Sequence, residues 1–312
     1  MQVYISGSLA YDRIMDFPGK FSDHILPDKI HILNVSFIVN GLSERFGGTA
    51  GNIAYNLGLL GEVPMIVAAA GKDFDRYDVW LEENGLPRSG IRIIPEEFTA
   101  GAYITTDLSD NQITGFNPGA MKHPSRYAFD GANQGNALAI VSPGCLEDMN
   151  VYSREFKTRA IPYIFDPGQS IPALSADEII AMITGARMLI SNDYELEMIR
   201  KTTGLDQKSI LDKTPALVTT LGEKGSLVCT PEKETLLPAV QARRVVDPTG
   251  AGDAYRAGLI KGMVMGKSLV DAARMGAVCA SFAVAHQGTQ SHRFTVEEFR
   301  ERYRSAFGAE CF

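Results

Sequence analysis

Towards its C-terminal end the chain reads Asp247-Pro248-Thr249-Gly250-Ala251-Gly252-Asp253, and a helical pattern starts at once. Small residues there let a backbone approach a ligand closely. The first amide groups of a helix point outward unpaired and suit an anion. Asp253 stands at the same helix start, where its carboxylate repels an anion. Taking the proton from a hydroxyl that attacks a phosphoryl group would account for it. So would plain helix capping, which Asp performs well. Other segments must therefore add weight.

Four segments fit the same chemistry. Asn192-Asp193-Tyr194-Glu195 follows the apolar run Met188-Leu189-Ile190-Ser191 and opens a helix. The spacing suits a capping box, and its oxygens also suit water held around Mg²⁺ near phosphates. Val218-Thr219-Thr220-Leu221-Gly222-Glu223-Lys224-Gly225 is a strand entering a glycine turn. Such a turn brings amides to a phosphate chain, or simply closes a hairpin. Phe46-Gly47-Gly48-Thr49-Ala50-Gly51-Asn52 opens the first long helix, with a double glycine as hinge and Asn52 offering donor and acceptor to a substrate hydroxyl. Asp12, after the strand Val3–Gly7, can accept hydrogen bonds from a vicinal diol or be a solvated loop residue.

These segments need a frame. The pattern predicts a helix after Gly48 burying Ile53, Ala54, Leu57 and Leu60, a strand over 65–70, and a helix over 75–84. A hairpin is predicted over 103–116. Strands at 137–141, 162–165, 187–191 and 216–220 alternate with helical patterns, and helices are predicted over 252–265, 268–285 and 295–307. Strand–helix alternation implies a mostly parallel sheet with helices on both faces, and ligands beyond the carboxyl ends of the strands. The fold class is thus α/β, a single domain over 1–312. Residues 13–45 and 96–121 are β-rich, with Ile30 to Val39 especially so, and predict a small β lid over the crevice.

Composition limits the partners. The 312 residues are 45% hydrophobic, with formal net charge −7 and pI about 5.3, so nucleic-acid binding through basic surface is not expected. No apolar run is long enough to span a membrane, and no secretory signal is evident. Cys145, Cys229, Cys279 and Cys311 lack paired spacing, which argues against zinc or a disulfide framework and for a reducing cytoplasm. The five histidines show no metal or triad spacing.

With these residues laid out, the chain resembles the ribokinase-like, or PfkB, family of sugar and nucleoside kinases over almost its whole length. Gly47-Gly48 through Asn52 to Gly61 looks like the first family signature. Asp247 to Asp253 looks like the second. The resemblance implies a three-layer α/β/α fold with a β-sheet lid, and ATP and Mg²⁺ as cofactors. It implies Asp253 as the base, Gly250, Ala251 and Gly252 as the anion hole, and Asn192 and Glu195 as organisers of Mg²⁺ through water. Asp12, Gly47, Gly48 and Asn52 would hold the acceptor, and Thr220, Gly222 and Gly225 would line the ATP site. Some relatives bind a monovalent cation (K⁺) near the second signature. Asp247, Thr249 and Gly288 match that site, while His292 departs from it. Pro248 also departs, and its missing amide cannot serve an anion.

The acceptor is read from the lid. Phe17, Phe21, Ile25, Leu26, Ile30, Ile32, Val35 and Phe37, with Tyr103, Ile104 and Phe116 on the hairpin, suit a flat base. The expected activity is phosphorylation of a nucleoside 5′-hydroxyl, with adenosine first. The alternatives are a sugar kinase, using Lys29, Arg45 or Lys122 for a phosphorylated sugar, and a non-catalytic binding regulator. The same apolar side chains could instead form the lid's own core or pair two subunits as a homodimer.

Overall fold

Alternation of buried side chains along the strands sets the architecture. Val3 and Ile5 pack to one face of the first strand with Leu57, Leu81 and Leu259, whereas Tyr4 packs to the other with Phe129 and Met149. A parallel strand buried on both faces needs a helical layer on each. The computed structural model describes residues 1–25, 27–32 and 34–312, and shows this three-layer arrangement. Leu26 and Leu33, both within the β-rich stretch 13–45, lie outside the described residues.

The main sheet has nine strands: β1 (Gln2–Ser6), β4 (Met65–Gly71), β5 (Ile91–Ile94), β8 (Ala137–Val141), β9 (Tyr163–Phe165), β10 (Met188–Asn192), β11 (Leu217–Thr220), β12 (Ser226–Cys229) and β13 (Glu234–Leu237). Their order is β13-β12-β11-β10-β9-β8-β1-β4-β5. All neighbours are parallel except β11–β12 and β12–β13. One face carries α1 (Thr49–Leu59), α2 (Asp75–Glu83), α7 (Ala251–Val264) and α8 (Leu269–Ala283). The other carries α3 (Leu146–Thr158), α4 (Ala176–Ile183), α5 (Asp193–Thr203) and α6 (Gln207–Leu211). The C-terminal α9 (Val296–Phe307) packs Phe299 and Tyr303 beside α8. Each wholly buried Ile or Leu in these layers contributes roughly 1.5–3 kcal/mol.

The second sheet is small, in order β3-β2-β6-β7, and consists of β2 (Ala10–Asp16), β3 (Asn40–Gly47), β6 (Ala100–Thr106) and β7 (Gln112–Asn117). This is the lid. Its strands are not all where composition put them. The β-rich stretch 30–39 holds no strand among its described residues, and the polar Asn40–Gly47 takes that place by pairing antiparallel with β2. Pairing partners and burial outweigh intrinsic β preference. The stretch 27–32 forms 3-10 turns instead. β5, β12 and β13, each four residues long, are not in the sequence expectation. The glycine turn after β11 closes an antiparallel hairpin onto β12, the plainer of its two readings.

Phe17, Phe21 and Phe37 pack on one another at centroid distances of 4.6–5.5 Å, with Phe17 and Phe21 buried. They make a small core for the lid's own loop rather than a platform open to a ligand. Among the described residues no helix is long and apolar enough to cross a membrane.

Candidate active site

The carboxyl ends of β9, β10 and β11 deliver Asp166, Asn192 and Thr220 to one cavity of about 990 Å³. Its opposite wall is the segment Pro248 to Asp253 and the start of α7. This is the crevice that a parallel sheet offers beyond the carboxyl ends of its strands. Gly250, Ala251, Gly252, Asp253, Asn192, Glu195, Thr220, Gly222 and Gly225 all line it. Asp12, Gly47, Gly48 and Asn52 do not. They form a second group beside it, joined to the first through one hydrogen bond.

That bond runs from Asn52 Nδ2 to Asp253 Oδ2, at 2.7 Å. Asn52 sits one turn into α1, and its own Oδ1 accepts from Gln290 Nε2 at 3.0 Å. Gln290 also donates to the Tyr77 hydroxyl at 2.6 Å, and that hydroxyl donates to the Gly47 carbonyl at 2.8 Å. A buried polar chain thus connects the double glycine to Asp253. Asp12 lies directly over Gly47: a Cβ there would come within 2.8 Å of its carboxylate. Burial raises the Asp12 pKa; Arg45, its partner across β2–β3, opposes this and Asp247 adds to it.

Asp253 is enclosed by protein on most sides, with an edge open to the cavity. Burial pushes its pKa up to about 6. Arg256 and the Asn52 bond oppose the rise, while Asp166 and Glu195 support it. Gly250 caps α7 with φ of 78°, a left-handed turn that favours glycine. Among the described residues, the amides of Gly250, Gly252 and Asp253 find no protein acceptor, whereas that of Ala251 reaches the Pro248 carbonyl at 3.2 Å. The free donors are therefore Gly250, Gly252 and Asp253, while the amide of Ala251, expected among them, already has a protein acceptor.

Asn192 and Glu195 form a full capping box. Asn192 Oδ1 accepts from the Glu195 amide at 2.7 Å, and Glu195 Oε2 accepts from the Asn192 amide at 2.8 Å. Glu195 Oε1 is left over. Burial raises the Glu195 pKa, the Asn192 bond opposing. Asp247 accepts from the Thr249 amide and from the Gly288 amide, both at 2.9 Å. These bonds hold its pKa below the usual value despite partial burial. His292 is not at this loop's surface. It is wholly buried, bonds Asn56 Oδ1 at 2.8 Å through Nε2, and has its pKa pushed down to about 4 by burial.

Sequence reading missed Asp166, Arg256, Gln290 and Tyr77. Arg256 had a local signal, since it lies three residues after Asp253 on the same helix face. Asp166 had a weaker one, as the first residue after a strand and before Pro167-Gly168.

A model of the pfkB family carbohydrate kinases matches residues 19–295. The chain belongs to this family. As a pfkB-family member it is an ATP-dependent phosphotransferase with an alcohol group as acceptor. It is similar to the nucleoside kinase of Burkholderia thailandensis, solved in complex with inosine, at 38% identity and TM-score 0.87 over 99% of both chains. It is also similar to the nucleoside kinase of Methanocaldococcus jannaschii, 31% identical over 86% of this chain and 89% of that one. The ribokinase of Cryptococcus neoformans shares the pfkB-type fold at TM-score 0.77 and 22% identity, covering 96% and 99% of the two chains.

Proposed function

We propose that this kinase transfers the γ-phosphoryl group of ATP to the 5′-hydroxyl of a purine nucleoside, adenosine or its 6-oxo analogue inosine. The observation that carries the chemistry is Asp253. Its raised proton affinity suits a base, yet at pH 7 most of it is ionised. It is held by Asn52 from the acceptor group and stands at the start of α7 beside the free amides. In this reading Asp253 takes the hydroxyl proton, and Gly250, Gly252 and the Asp253 amide stabilise charge on the transferring group. Asp12, Gly47, Gly48 and Asn52 hold the acceptor. Thr220, Gly222 and Gly225 border the nucleotide.

The base is supported by two relatives named nucleoside kinases and by one lid feature. Strand register puts Ile14, Ile104 and Phe116 on the same side of the lid as Asp12, and the Phe116 ring is exposed there. Tyr103 and Ile113 share the opposite side and are exposed too. These two exposed apolar side chains support a homodimer through the lid, which light scattering would read as a doubled mass. The four free thiols fit a reducing cytoplasm.

Mg²⁺ fits Asn192 and Glu195 as a metal held through water. Glu195 lines the cavity, and its Oε1 has no partner among the described residues. Bound there, Mg²⁺ would offset charge on the phosphates. A monovalent cation fits less well. Both Asp247 oxygens already accept amides, and Arg45 lies against Gly288, whose added Cβ would come 3.1 Å from its Cδ.

The test is phosphate transfer from Mg–ATP to adenosine, inosine, guanosine, cytidine, ribose, fructose and fructose 6-phosphate in parallel. Nucleosides are expected to exceed free sugars at least about tenfold in kcat/KM, on the order of the 1–3 kcal/mol that one extra apolar contact supplies. Turnover confined to sugars would refute the acceptor assignment. Binding without turnover would point to a regulator.

A further inference from the structure

The phosphates of ATP carry several negative charges, yet among the described residues the cavity is lined by Asp166, Asp193, Glu195, Glu223 and Asp253 and by a single cation, Arg256. Arg243 and Arg244 lie in the neighbouring loop but do not line it. Arg256 is one turn after Asp253 on α7 and almost wholly buried. Two of its three nitrogens are spent: Nε and Nη2 both donate to the Asp166 carboxylate, the latter at 2.6 Å. This bidentate grip fixes the guanidinium plane. The third nitrogen, Nη1, has no partner among the described residues and is not shut away from the cavity. It lies against the anion loop, where a Cβ added to Gly252 would come within 2.8 Å.

We infer that Arg256 is a further catalytic residue, whose Nη1 contacts the transferring phosphoryl group, and that Asp166 is its positioning residue. The inference rests on the reading of this cavity as the ATP site, and deepens it. Phosphoryl transfer is accelerated chiefly by fixed charges aimed where negative charge gathers. A flexible cation among five carboxylates would fold back onto one of them. Here the Asp166 carboxylate has taken Nε and Nη2 and left the third nitrogen unpaired beside Gly252. Burial works against the Arg256 charge, but Asp166, Asp253 and Glu195 around it override this and raise its pKa, so the cation persists. Gly252 matters doubly in this arrangement, supplying an amide and leaving room for Nη1.

Removing Arg256 alone strands a buried carboxylate and risks unfolding. The informative variant is therefore the neutral pair Arg256→Gln with Asp166→Asn, compared with wild type by circular dichroism, ATP titration and turnover. The expected result is a folded protein whose kcat falls on the order of 10²–10³-fold. ATP affinity should fall about tenfold, and nucleoside affinity should stay within about threefold. If the pair does not fold, Arg256→Lys serves: a point charge cannot both grip two oxygens and face the cleft, so kcat should fall at least about tenfold with melting temperature kept. Folded variants with ATP binding and kcat near wild type would overturn the inference. Wild type that turns over no nucleoside, but whose ATP binding still depends on Arg256, would sink the acceptor reading and leave Arg256 standing.

Discussion

The two sides of the cleft are held by different kinds of force. The α7 side is fixed by long-range polar contacts, wholly buried for Arg256 to Asp166 and partly buried for Asn52 to Asp253 and Asp247 to Gly288. The lid is fixed at its flank by partly exposed ion pairs. Arg13 bonds Glu44 at 2.9 Å and Asp73 at 3.1 Å, and Glu44 bonds Arg76 at 2.7 Å. Every residue of its edge strand β7 is exposed. Buried charge-assisted bonds in low dielectric are stiff, and their loss leaves unpaired groups. Ion pairs that water still reaches are screened, the more so the nearer they come to the exposed limit of about 0–1 kcal/mol, and they rearrange more cheaply than the wholly buried Arg256–Asp166 pair. The difference separates a rigid place for bond making from a cover that can yield to a substrate.

The largest test of this contrast is Asp253→Asn. Turnover should fall at least about 10³-fold while nucleoside and ATP binding persist. The same change should stabilise the protein at pH 7. A carboxyl whose folded pKa lies above its unfolded value binds more protons when folded, so it adds stability below that value and loses it as pH rises through about 6. An uncharged Asn avoids that loss, and a rise of about 1–2 kcal/mol, a few degrees in Tm, is expected. Near-native turnover by this variant would remove Asp253 as the base.

The pH dependence follows from the same group. The acid limb of kcat/KM should lie near pH 6, with activity falling below it as Asp253 takes a proton. Asn52→Ala removes a bond that favours the ionised form, so the limb should move to higher pH. An unmoved limb would mean that another group controls it.

Gly48→Ala tests the joint between the two regions. Gly48 has φ of 88°, and an added Cβ would come 2.5 Å from the Ser8 carbonyl oxygen. The backbone at the lid hinge must then shift, and kcat/KM for the nucleoside should drop at least about tenfold, mostly through KM. The smallest effect belongs to Arg13→Gln. Loss of its ion pairs should change acceptor KM only a few fold and leave kcat within about twofold. A large loss of kcat would show that the lid flank is part of the rigid machinery after all.

How much of this was legible varies with the range of the interaction. Asp253 at a helix start, the amide-rich glycines and the capping box at Asn192 and Glu195 are local patterns, and the structure puts all of them on one cavity. Arg256 was within the same helix, yet its meaning depends on Asp166, a residue 90 positions away. Gln290 meets Asn52 across 238 positions. The lid shows the converse error. Residues 30–39 have strand-like composition but no strand partner among the described residues, while polar Asn40–Gly47 has one in β2. The rings of Phe17, Phe21 and Phe37 were counted towards a base platform and serve the loop's own packing.

The alternating α/β frame, the helix starts and the candidate base are readable along the chain, because periodicity, caps and glycines act over a few residues. Which amides are free, which carboxylate clamps Arg256, and which face of the lid Phe116 shares with Asp12 come from the folded chain alone. Those depend on strand register and on contacts between distant segments, where the burial that raises Asp253 towards pH 6 is also settled.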